Sequence, residues 1–90
     1  MTDIFRSIER ARKIAQRQVP RIQLTVDNLI SNEEIDPTVI ERQLDEILNY
    51  APFGIAVREF QRLNAYYRTI DRDAAQDYDK TLRILRGEEG

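Results

Sequence analysis

Neither histidine nor cysteine occurs among the ninety residues of this chain. Without thiols there is no disulfide framework, no thiolate nucleophile and no thiolate metal site, and a disulfide-stapled secreted scaffold is excluded. Without imidazole the commonest general acid and base is missing, together with the commonest metal ligand. Two serines, Ser7 and Ser31, have no base a few residues away, and the only glycines, Gly54, Gly87 and Gly90, cannot build a phosphate-cradling loop. These absences point to a non-enzymatic protein with no cofactor and no metal site.

Long apolar runs are also lacking: no stretch approaches the ~20 residues that a membrane-spanning helix needs. The opening Met1, Thr2 and Asp3 lead into a charged amphipathic run rather than the apolar centre of a secretory signal, so the expected location is cytoplasmic. Tryptophan is absent, which weakens a membrane-surface role for that amphipathic run.

What the chain does have is a composition suited to folding. Hydrophobic residues make up 41% and charged residues 33%, and a net charge of −2 is too small to drive disorder by self-repulsion. The length suits one domain, expected over residues 1–86, followed by an acidic tail, 87–90, expected to fray. A domain this small has a thin core, so self-association or docking would bury its remaining apolar surface.

The apolar residues recur at helical spacing. Ile4, Ile8, Ala11, Ala15, Val19, Ile22, Val26 and Leu29 fall in one stripe of a helical wheel, and Pro20 interrupts them without changing their phase. Residues 3–31 therefore predict one kinked helix or two helices meeting at Val19 and Pro20, with two favoured. Asp36 before Pro37 is a strong start signal, and Ile40, Leu44, Ile47, Leu48 and Ala51 give the next helix an apolar face through Tyr50. After the turn at Pro52–Gly54, one stripe runs through Ala56, Phe60, Leu63, Tyr67, Ile70, Ala74, Tyr78, Thr81 and Leu85. Asp71 could start a separate last helix inside it, and Gly87 suits a helix terminator. The expected fold is an all-α bundle of four to five helices, or two long helices flanking a short one, that self-associates.

Charge is distributed unevenly. Residues 1–26 carry six basic against two acidic side chains, whereas residues 27–51 carry Arg42 alone against seven acids. Within the basic segment Arg6, Arg10, Lys13, Arg17 and Arg21 line up on the side opposite the apolar stripe. With that stripe facing inward, the row would face an outside anion, and arginine forks suit carboxylate or phosphate. The bland reading of this row is a solvated helix face. Tyr66, which points off its apolar stripe, and Phe53 in the turn are candidate interface aromatics, expected to supply the desolvated centre of the contact.

These features predict a protein-binding adaptor, inhibitor or assembly factor whose partner offers an acidic patch to the arginine row. One alternative is a small nucleic-acid-binding regulator using the same row. The helix–turn–helix outline of residues 40–67 would add contacts from Arg58, Arg62 and Asn64. Another is a structural homo-oligomer. The aspartates at 71, 73, 77 and 79 imitate part of a calcium loop, but Gln76 stands where glycine is needed and Leu82 where the bidentate glutamate belongs. Pairs such as Asp79 with Arg83 and Asp77 with Lys80 are the expected use of these carboxylates.

Overall fold

The computed structural model describes residues 2–87, leaving aside the side chains of Thr2, Asp3 and Phe5. The acidic tail expected beyond Gly87 lies outside the described residues. Among those described there is no strand: the chain is an all-α bundle of five helices and one 3₁₀ turn.

The long opening stripe divides into α1 (Thr2–Gln16) and α2 (Val19–Ser31). Pro20 sits in the first turn of α2, where its missing N–H is no loss, and Gln18 accepts the first α2 bond, from the Ile22 amide, at 2.9 Å. Gln18 itself keeps right-handed helical angles, φ −83° and ψ −14°. The two helices therefore share one stripe on paper despite the break between them.

α2 ends in a Schellman turn. The amide of Glu33 reaches the Ile30 carbonyl at 3.1 Å and the amide of Glu34 reaches Leu29 at 3.0 Å. Glu33 holds the left-handed position of this turn at φ 54°, where glycine is the usual occupant. Because Glu33 is exposed and its side chain makes no described contact, Glu33→Gly should stabilise the protein by about 1 kcal/mol, read as an upward shift of the urea midpoint.

Asp36 caps α3 (Pro37–Leu48) as its sequence predicts: its Oδ1 accepts from the Thr38 amide at 2.9 Å. α3 stops at Leu48, short of the expected Tyr50, because the chain tightens into the 3₁₀ turn Ala51–Phe53 around Pro52, and Gly54 then turns left-handed at φ 71°. α4 (Val57–Arg68) follows, entered through a left-handed Ala56 at φ 62°.

The apparent thirty-residue stripe also breaks. The Thr69 hydroxyl folds back onto the Tyr66 carbonyl at 2.6 Å, Asp71 is extended, and its Oδ1 caps α5 (Arg72–Leu85) through the Ala74 amide at 3.1 Å. An extended residue resets the helical phase, so the buried face of α5 carries Ala75 and Leu82, while the expected Leu85 is 40% exposed. Gly87 closes α5 at φ 71° as expected.

α2, α3, α4 and α5 share one core. It is built from Ile22 and Val26, Ile40, Leu44 and Ile47, Phe60, Leu63 and Tyr67, and Leu82. Three tyrosine hydroxyls tie its rim together. Tyr66 donates to the Glu34 carbonyl at 2.6 Å, Tyr67 to the Glu41 carboxylate, and Tyr78 to Asp45 Oδ1 at 2.8 Å. The Tyr78 ring lies 6.2 Å from Phe60 and 6.4 Å from Tyr67, in tilted and edge-on geometry.

α1 stands apart from this body. The molecule measures 47 × 32 × 18 Å with a radius of gyration of 14.2 Å, against about 12 Å for a compact chain of this length. The protruding helix accounts for the excess.

Candidate functional site

Among the described side chains, α1 meets the body near its C-terminal end. Ala15 is its one buried side chain among those described, and the Arg12 guanidinium donates to the Phe53 carbonyl at 2.8 Å. Between these contacts a cleft of about 370 Å³ runs between α1 and the 3₁₀ turn, lined chiefly by Ala11, Ile14, Tyr50 and Phe53.

Toward the N-terminus the expectation for the apolar stripe fails. Ile4 and Ile8, which the periodicity places in a core, are 66% and 53% exposed, and Ile14 beside them is 52% exposed. Among the described residues, none covers Ile4 or Ile8. The apolar face that Ala15 begins to bury therefore continues outward as an open strip of isoleucine and alanine.

On the other side of α1 the basic row is exposed over its whole length. Arg6, Arg10, Lys13 and Arg17 make no hydrogen bond or ion pair among the described residues. Arg21 is different: its Nη2 lies 2.6 Å from Glu46 Oε1, and that hydrogen bond first, then the carboxylate's charge, push the guanidinium's pKa further up. Being on α2, Arg21 serves to join that helix to α3, and four members of the row remain open to an outside anion.

The two interface aromatics are not brought together. Tyr66 is half-buried with its hydroxyl spent on the loop before α3, while Phe53 follows the far end of that helix. A twelve-residue helix between them is ~18 Å long. Phe53 adjoins α1 and Tyr66 does not.

The nucleic-acid contacts proposed on α4 fare worse. Asn64 is 1% exposed, with Nδ2 donating at 2.9 Å both to the Ala75 carbonyl and to Asp79 Oδ1, so it cannot reach a base. Arg62 is ion-paired with Asp27. Of the three, Arg58 alone is exposed without such a partner among the described residues. Asp79 turns toward α4, pairing with Arg68 as well as Asn64, and Asp71 is spent on its cap. No group of three or more potential metal ligands gathers among the described residues, and no helix among them is long and apolar enough to cross a membrane.

The sequence reading also missed a second basic surface. Arg72, Gln76, Asp79, Arg83 and Arg86 recur at spacings of four and three along α5, and with Arg68 of α4 they line a groove of about 560 Å³. The signal was the same helical spacing that marks the α1 row, hidden by the aspartate and glutamine in its middle.

The tyrosine contacts make stability depend on alkaline pH. Burial, then hydrogen bonding to Glu41 and its charge, raises the Tyr67 phenol above its ordinary 10; burial, then Asp45, does the same for Tyr78. A raised folded-state pKa means that the contribution is whole below the unfolded value and is lost as pH rises through the folded one. Urea midpoints should therefore hold up to about pH 9.5 and fall by pH 11. Tyr78→Phe should flatten the decline.

No family model, curated protein or solved structure matches this chain.

Proposed function

We propose that this chain is a non-enzymatic binding module that docks on another protein through α1. The observation that carries this reading is the exposure of Ile4 and Ile8 on a helix whose opposite face holds four open cations. A helix with unburied apolar positions at i and i+4 is suited to lie in an apolar groove of a partner, and arginines on its other side suit an acidic rim around that groove. The isoleucines would supply the desolvated centre, and the cations would steer encounter and fix orientation.

This differs from docking through the arginine row alone. With α1 half inserted, its apolar strip and its charge would act on one partner. Four cations at helical spacing would also suit nucleic acid, but the contacts expected from Asn64 and Arg62 do not support that alternative.

Affinity capture from the source organism tests the reading. Reversing Arg10 and Arg17 to glutamate should reduce capture at least tenfold, in line with the ≈1.4 kcal/mol equivalence, and leave helicity intact. Unchanged capture would return the row to a solvated face. Duplex DNA binding with a steep salt slope would favour the nucleic-acid regulator, and a dimer in sedimentation would favour the homo-oligomer.

A further inference from the structure

We infer, on the reading of α1 as the docking element, that the cleft at its foot receives one large apolar side chain of the partner, carried on a helix with acidic residues along one edge.

The open strip and the cleft form one track. Ile4, Ile8, Ala11 and Ala15 follow one another at steps of four, three and four, the spacing of a seam between packed helices. The two isoleucines fill their part of the seam. The two alanines leave room, and there the cleft opens. Across from them stand the half-buried rings of Tyr50 and Phe53. A volume of about 370 Å³ lies at the small end of the ~300–1,000 Å³ typical of ligand sites, which suits a side chain better than a cofactor. No charged side chain lines the cleft, so an ion entering it would lose its water without a counter-charge, whereas an apolar group gains by burial.

Charge marks one border. Ile14 lines the cleft and is half exposed, with Arg10 one turn before it and Arg17 one turn after it on the helix surface. The Arg17 amide bonds to the Lys13 carbonyl at 3.2 Å, which carries the last turn through to that residue. Neither guanidinium has a partner among the described residues. On the other border Arg12 is tied to the Phe53 carbonyl. An incoming segment therefore meets open cations along a single edge. Arg10 and Arg17 are seven residues apart, ~10 Å along a helix. A partner helix packed along α1 matches that interval with carboxylates one heptad apart, and its apolar anchor falls between them, at the cleft.

Titrating the full chain with a labelled synthetic helical peptide, a phenylalanine at its centre and glutamates one heptad apart on one edge, tests this by anisotropy and two-dimensional NMR. Saturable binding is expected, with the amides of Asn49, Tyr50 and Phe53 shifting. Replacing the peptide's phenylalanine by alanine should weaken binding at least about tenfold, as should filling the cleft with Ala11→Phe or reversing Arg10 and Arg17 to glutamate. Ala11 is exposed, so circular dichroism should show its variant folded. Four results would overturn the proposal: no saturable binding, indifference to the peptide's phenylalanine, equal affinity for a peptide with lysines in place of the glutamates, or displacement of the peptide by anionic phospholipid vesicles. In capture from the source organism, a loss with Ile4→Glu and Ile8→Glu but not with Ala11→Phe would remove the cleft's part and leave α1 as the docking element. A loss with neither would remove both.

Discussion

Phe60→Ala should cost about 3–5 kcal/mol of folding stability, the largest loss expected from a single truncation in the body of the molecule. Phe60 is fully buried on α4 and meets the Tyr78 ring of α5. Removing it takes away the transfer free energy of a benzyl group, leaves a cavity in a core supplied by four short helices, and frees Tyr78 to shift from Asp45. A chain of this length has roughly 5–13 kcal/mol in all, so the variant should unfold at a much lower urea concentration. A midpoint near that of the parent protein would mean that α4 does not form the centre of the core.

Much of that core was legible from spacing alone. Ile22, Val26, Ile40, Leu44, Ile47, Phe60, Leu63 and Tyr67 are all where a helical stripe puts them, because short amphipathic helices in a thin bundle have one way to hide their apolar sides. The cap at Asp36 and the stop at Gly87 were legible for the same kind of reason: each residue has a local backbone job that its side chain, or lack of one, suits.

Breaks and faces were harder. The interruption at Gln18 is invisible to a wheel because its backbone remains right-handed. Asp71 shows the opposite case, where an extended residue moved the buried side from Leu85 to Leu82. Periodicity also says that a helix has an apolar side, never that the same chain covers it. That is why α1 looked like a core helix. Arg21 was read as part of an outward row because Glu46, twenty-five residues on, has no sequence mark as its partner.

The second large effect concerns that uncovered side. Ile4→Glu combined with Ile8→Glu should reduce partner capture by more than a hundredfold, since two desolvated anchors become charges that an apolar groove cannot accept. The same pair should scarcely change folding, because both positions are already in water and surface substitutions usually fall within about ±0.5 kcal/mol. Buried in a core, those two carboxylates would cost several kcal/mol.

Urea unfolding of this double variant is the direct measurement. An unfolding free energy within about 0.5 kcal/mol of the parent value is predicted. A loss above about 3 kcal/mol would put the first helix inside the bundle and contradict its proposed role as the docking element.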